Sequence, residues 1–151
     1  MKGRSKLDTR LSVGTMKARC IVEPARAIRG EILFTSEPIA FLQGVDPEIG
    51  AVSDKKHELY GKAFAGKILA FPNAVGSSVG AYVIYRLAKN HVGPKAMINQ
   101  NSDIITASGC AISRIPLFDL PDSDLGRLKE MNRAELTKIG AIRPLAIKEH
   151  V

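Results

Sequence analysis

The stretch that most limits what this chain can become runs from Gly66 to Lys89, where an apolar run, a proline, a glycine turn with two serines and a helical pattern follow one another. Ile68, Leu69, Ala70 and Phe71 are continuously apolar and Pro72 stops them, which reads as a short buried strand. Gly76 supplies turn conformations that a residue with a Cβ avoids. Beyond it Val79, Val83, Ile84 and Leu87 recur at helical spacing and leave Arg86 and Lys89 outside. The pattern predicts a helix over Ala81 to Lys89, capped by Ser77 or Ser78. Such a turn brings two hydroxyls and several free N–H groups to one point. A helix N-terminus carries partial positive charge, so that point suits a carboxylate or a phosphate.

The same geometry caps helices in many α/β proteins without any ligand, and spacing alone leaves both readings open. No Gly-Lys-Ser/Thr closes the turn, so it is not a Walker A loop. Gly76-Ser77-Ser78-Val79-Gly80 does match the Gly-x-Ser-x-Gly of a nucleophile elbow, with Ser78 at its centre. A triad would draw on His57, His91 or His150 and a carboxylate, and 151 residues leave too little chain for most of the sheet that presents such an elbow.

With 45% apolar residues the chain can bury one core, and one domain is expected. No apolar run is long enough to cross a bilayer and no apolar segment follows the N-terminal charges, which points to a soluble, cytoplasmic protein without membrane contact. Cys20 and Cys110 are the two cysteines, far apart and outside any Cys-x-x-Cys pair, as expected of buried thiols in a reducing compartment. The net charge of +7 is concentrated at the start: residues 1 to 19 hold six basic side chains against Asp8, a net of +5. Residues 1–15 thus read as a basic N-terminal extension, able to steer an anionic partner or simply solvated. Aromatic residues make up 5%, too few for stacking platforms, which argues against nucleic acid.

In chain order, Cys20 to Val22 and Ile32 to Phe34 read as strands, and Ser36 to Pro38 turns into the apolar Ile39 to Leu42. Gly44 to Gly50 is dense in turn formers. Its Asp46 either orients a substrate or holds the loop by accepting backbone N–H bonds. Asp54, His57 and Glu58 cluster in sequence but fit no zinc spacing. His57 is either a proton carrier or a structural histidine. Gly93 is placed to end the helix, Lys95 to Ile98 reads as a strand, and the polar Asn99 to Ser102 follows. Ile104 to Ala107 and Ala111–Ile112 read as short strands flanking Ser108-Gly109-Cys110, and Ile115 to Phe118 as one more. Pro121 to Ser123 opens a last helix, Asp124 to Lys138, that packs Leu125, Leu128, Met131 and Leu136 and is ended by Gly140. Together these predict an α/β domain with a compact, partly closed sheet.

Phe41-Leu42-Gln43-Gly44-Val45-Asp46-Pro47, then Gly50, Asp54, His57, Leu59 and Gly61, Gly66-Lys67-Ile68-Leu69, Pro72, Gly76-Ser77-Ser78-Val79-Gly80, and finally Gly109 with Ile115-Pro116-Leu117, resemble in linked order the small subunit of the aconitase X family. The resemblance covers Met16 to Asp119. It implies a compact swivelling β/β/α barrel-like domain similar to the swivel domain of aconitase, here one domain over 16–151 with a C-terminal helical segment. It also implies a hydro-lyase. Two-chain members dehydrate (R)-5-phosphomevalonate to trans-anhydromevalonate 5-phosphate in a mevalonate route to isoprenoids, and others dehydrate cis-3-hydroxy-L-proline. The implied cofactor is an iron–sulfur cluster, 4Fe-4S expected, held by a large partner subunit. Cys20 and Cys110 alone cannot supply the three or four thiolates of such a cluster, so a partner chain is required and no metal site is expected here.

The residue matching the family's serine base is Ser77. An ordinary hydroxyl is too weakly acidic for that task, so it must act as an alkoxide stabilised by N–H donors and positive charge. Gly76, Ser78 and the N–H groups of Val79 and Gly80 are expected to hold an anionic group of the substrate, and Asp46 and His57 lie in matching loops. Lys62, Lys67 and Arg86 either assist a phosphate or are surface charges. Members commonly have a second glycine where Gln43 stands, and threonine and serine where Ser78 and Ala81 stand. These departures bear on the substrate more than on the reaction type. From a different class, a non-catalytic anion- or RNA-binding module would use the basic extension.

Overall fold

Met16–Lys17 (β1) and Arg19–Val22 (β2) are separated by Ala18 alone, yet they form opposite edges of one eight-stranded sheet. A sheet whose two edges are one residue apart has to curl back on itself, and the result is a nearly closed barrel. The computed structural model describes residues 14–146; residues 1–13 of the basic extension and residues 147–151, His150 among them, lie outside that range.

The remaining strands are Ile28–Phe34 (β3), Ile39–Ala40 (β4), Val45–Asp46 (β5), Ala51–Val52 (β6), Ile68–Ala70 (β7), Ala74–Val75 (β8), Ala96–Asn99 (β9), Leu117–Asp119 (β10), Arg133–Leu136 (β11) and Ala141–Leu145 (β12). The large sheet runs β1-β12-β11-β3-β7-β9-β10-β2. Its centre, β3, β7, β9 and β10, is parallel, and its flanks are antiparallel. Outside it, β4 pairs with β8 in parallel and β5 with β6 antiparallel. Two ten-residue helices, Gly80–Lys89 (α1) and Ile104–Ser113 (α2), pack against each other, and a short helix, Asp122–Leu125 (α3), runs into the 3-10 turn Gly126–Glu130.

The two-residue period of the strands divides the interior into two cores. Ile68, Ala70, Ala96, Ile98 and Phe118 meet Leu128, Met131, Leu136 and Ile142 inside the barrel. The alternate residues Leu69, Phe71, Met97 and Leu117 point the other way, against Val83, Ile84 and Leu87 of α1 and Cys110 of α2. Burial on both faces explains why these strands read as unbroken apolar runs.

Two predicted segments fold differently. The helix expected over Asp124 to Lys138 ends at Glu130, and Arg133–Leu136 becomes β11. Leu125, Leu128 and Met131 do keep helical spacing, but from Arg133 onward burial alternates, with Ala134 and Leu136 inside. The strands expected around Ser108-Gly109-Cys110 are the single helix α2. Asp103 caps it, its Oδ1 accepting the Thr106 N–H at 2.7 Å. Gly109 then lets α2 approach α1, since a Cβ there would stand 3.1 Å from the Ala81 Cα. Helix α1 ends earlier than Gly93 implies: His91, at φ 57°, takes the left-handed position, and Val92 N–H closes on Leu87 O.

The barrel seam is held where Ala18 N–H donates to Gly140 O at 2.7 Å. Gly140 has φ +88°, and a Cβ there would lie 2.2 Å from the Ala18 carbonyl oxygen. The segment Phe41–Gly44 is a type II turn by its dihedrals, with Leu42 at φ −75°, ψ 120° and Gln43 at φ 71°, ψ −12°. That second position favours glycine.

Gly140→Ala is expected to lower the melting temperature by about 5 °C or more, because strain and a backbone clash together exceed about 2 kcal/mol. Gly126→Ala, with nothing within 4 Å of its Cβ, should leave stability within about 1 kcal/mol of wild type. Equal losses for both variants in calorimetry would contradict the seam's special role. Gln43→Gly should be neutral or raise stability by up to about 1 kcal/mol, relief of the left-handed strain slightly exceeding the entropy lost by glycine. A clear destabilisation would show that the Gln43 side chain contributes more than its backbone costs.

Candidate active site

Strand β8 continues into Gly76, at φ 100°, and the chain there reverses into α1. Helix α1 proper starts at Gly80 with Val79 as its N-cap residue. The turn before it is closed by Ser77. Ser77 Oγ accepts the Val79 N–H at 3.1 Å, and Ser77 O accepts the Gly80 N–H at 2.9 Å. Neither serine is thus the N-cap residue of α1, which has no side-chain cap; Ser77 instead closes the tight turn that precedes it. The Val79 and Gly80 N–H groups, expected to face a ligand, are already used inside the turn. The Ser77 and Ser78 N–H groups meet no acceptor among the described residues. Both serines are exposed.

The turn's surroundings come from three loops at the carboxyl ends of parallel strands, the place where open α/β sheets bind ligands. Pairing of Ile39 with Ala74 and Ala40 with Val75 brings the Phe41–Gly44 turn beside Gly76 and Ser77. Beneath them Phe41 and Phe71 meet edge to face at 5.8 Å. On the other side Asp103, Ile105 and Thr106, at the start of α2, complete a small pit with Gly76, Ser77 and Gly80. Two helix N-termini thus converge on one point, although Asp103 already occupies that of α2. Among the described residues no Lys or Arg lines the pit.

A buried polar network holds these loops in register. Asn99 Nδ2 donates to Phe71 O at 3.0 Å, and Gln100 N–H donates to Pro72 O at 2.9 Å. The Ser102 N–H donates to Asp119 Oδ1 at 3.1 Å, while Arg19 Nη2 holds Asp119 Oδ2 at 3.2 Å. Asn99 is fully buried and Asp119 nearly so. Such groups are costly inside an apolar core unless they are paired, and paired they fix geometry. Beside this network, Lys17 and Arg19 line a cavity of about 440 Å³.

Other residues singled out in the sequence lie apart from the pit. Asp46 Oδ1 accepts the Glu48 N–H at 2.9 Å and its carbonyl accepts that of Gly50, so it holds its own loop. His57 is buried; its Nδ1 accepts the Leu59 N–H at 3.0 Å, which leaves the proton on Nε2 to donate to Pro38 O at 3.0 Å. Both ring nitrogens are thus committed to backbone. Next to it the Thr35 hydroxyl donates to Glu58 Oε1 and holds that carboxyl below its ordinary value. Lys67 precedes β7, at the opposite end of the strand from Ser77, and pairs with Glu31. Arg86 is six residues, about 9 Å, along α1 from Gly80 and faces Glu48. Lys62 lines a separate cavity of about 390 Å³ with Glu58 and Lys129. Asp103 and Thr106 were missed because Ile104 to Ala107 was read as a strand; an aspartate directly before an apolar run was the available signal.

A cluster of the kind the resemblance implies does not fit this chain. Among the described residues no three His, Cys, Asp or Glu side chains gather at one place. Cys20 is half-buried and Cys110 buried, and neither is in a disulfide. Burial pushes the Cys110 thiol up to about 12, far from the thiolate a metal needs.

Known proteins are similar to this chain in sequence and in fold. The phosphomevalonate dehydratase small subunit of Methanothermobacter thermautotrophicus is 42% identical over 122 residues, covering 80% of this chain and 93% of the relative. That of Methanothrix thermoacetophila is 49% identical over 104 residues, covering 69% and 76%. The crystal structure of Thermococcus kodakaraensis aconitase X in its holo-form superposes with a TM-score of 0.78 at 38% identity, over 87% of this chain and 98% of that one. Residues 15–143 match the aconitase X swivel domain, and the chain belongs to that family.

Proposed function

We propose that this chain is the small subunit of a two-chain hydro-lyase that dehydrates (R)-5-phosphomevalonate to trans-anhydromevalonate 5-phosphate, and that it contributes Ser77 as the base. The observation that carries the reading is the open turn at the head of α1. Ser77 is exposed there and already accepts the Val79 N–H, a bond that strengthens if Oγ becomes anionic. The names of the relatives supply the substrate and the word subunit. In this reading Ser77 removes the proton next to the substrate carboxylate. The free Ser77 and Ser78 N–H groups, with the Ser78 hydroxyl, hold an anionic group of the substrate against the positive end of α1. Gly76 is needed because only a positive φ aims the turn this way.

No Lys or Arg among the described residues lines the pit, and in this reading the large subunit brings the counter-charges for a phosphate. The large subunit supplies the opposite wall and holds the iron–sulfur cluster, for which the described residues of this chain gather no set of ligands. We place the assembly in the cytoplasm, where two unpaired cysteines remain thiols. No helix among the described residues is long and apolar enough to cross a membrane.

Ser77→Ala in the assembled enzyme is expected to lower kcat by about 10²- to 10⁴-fold, while the two subunits still copurify. Wild-type turnover of 5-phosphomevalonate by that variant would rule Ser77 out as the base. Replacing both cysteines, Cys20→Ser with Cys110→Ala, should leave the iron content of the anaerobically purified complex unchanged. Loss of iron on that change would mean that this chain holds part of the cluster.

A further inference from the structure

Helix α2 has no charged side chain along its ten residues. An uncharged helix rich in isoleucine and alanine suits an interior, yet only one face of α2 is covered. Thr106, Gly109 and Cys110 are buried, whereas Ile104 is 81% exposed and Ile112 69% exposed, with Ser108 between them. These three lie at i, i+4 and i+8, on a single stripe. Beside it, across the close contact at Gly109, α1 presents Val79 and Tyr82, 45% and 61% exposed. Of the other exposed large apolar side chains, Leu42 and Val75 lie by the Ser77 turn and Tyr85 is on α1, whereas Ile49, Tyr60 and Ile139 stand outside both helices and are ordinary as single residues.

We infer that this two-helix face is where the large subunit docks. The inference rests on the functional reading above and goes further by assigning the surface. Two observations favour that occupant, and a third sets how far the contact reaches. The pit at Ser77 opens between the starts of these same two helices, so a chain that closes the pit from outside must cross the face. The basic side chains of α1, Arg86 and Lys89, are confined to its last turn, which leaves the half next to the pit free of charge and suited to an apolar partner. The face is also too small to be the whole interface: two helices of this length present roughly 300 Å², against about 800 Å² per partner in a stable complex. The contact therefore extends onto the neighbouring loops, and the exposed Leu42 of the Phe41–Gly44 turn, beside the pit, belongs to it.

The test is assembly of the full chain with its large subunit, followed by affinity measurement and size-exclusion chromatography. Ile104→Asp with Ile112→Asp is expected to weaken association by about 100-fold or more, with circular dichroism and melting temperature of the isolated chain unchanged. Ile139→Asp and Ile49→Asp should leave affinity within about threefold of wild type, since neither is on the face. If the double variant were poorly folded, Ile104→Ser with Tyr82→Ser would replace it, with the same loss expected. Wild-type affinity in a folded variant would overturn the proposal. So would an isolated chain that is a dimer and becomes a monomer in the variant, because the occupant would then be a second copy. Failure of the unaltered chain to bind the large subunit would instead overturn the functional reading, and this surface with it.

Discussion

Closure of the sheet is the constraint on which everything else rests. Because β1 and β2 are neighbours in sequence and opposite edges in space, the strands between them must complete a turn around a common interior. The side chains that point inward, from Ile68 and Ile98 to Leu136 and Ile142, fill that interior. The alternate side chains then form a second apolar surface, which α1 and α2 cover. The parallel order of β3, β7, β9 and β10 places their carboxyl ends along one rim, and the loops that leave this rim meet at Ser77. The site is a consequence of closure, since opening the seam would release the strands from which its three loops spring.

Within that frame the site is built from polar contacts in an apolar setting. The Asn99, Ser102, Asp119 and Arg19 network ties the loop after β9 to those after β7 and β10. Asn99 and Asp119 are buried where an unpaired group would be costly, and the half-buried Ser102 and exposed Arg19 complete their partners. The serine turn itself is spare. Among the described residues it has one internal bond to its hydroxyl, two N–H groups without an acceptor and no cation in the pit beside it. That economy is intelligible if this half of the site supplies shape, donors and a base while the partner supplies charge and metal.

The sequence made β7, the serine turn and α1 legible because strand, punctuation and helical spacing agreed over a few residues. The aconitase X resemblance then extended the reading from Met16 to Asp119. Two segments misled it for physical reasons. Ile104 to Ser113 carries no charge and mixes apolar residues with Thr106, Ser108 and Ser113, so periodicity cannot separate helix from strand, and no charge marks the exposed stripe of Ile104, Ser108 and Ile112. Leu125, Leu128 and Met131 are spaced as a helix requires, and the switch to a two-residue period at Arg133 occurs among charges that suit either state. In the site, the turn that presents Ser77 was legible from Pro72, Gly76 and the helical spacing after it. Which N–H groups it leaves free was not, because that depends on the tightness of the opening turn. Asp103 was hidden by the misreading of α2, and the backbone bonds of Asp46 and His57 became visible only with the loops in place.

The pairing of β1 with β12, in which Met16 lies opposite Ile142, has a consequence for how such a unit can be joined to others. The first and last strands of the described domain run side by side at one place on the barrel, so the two ends of the fold emerge as a single port. A linker attached at either end would start from nearly the same position and leave the strand order undisturbed. The domain can therefore exist as a separate chain, or be spliced to the front or the back of a larger one, without any change in how its barrel closes.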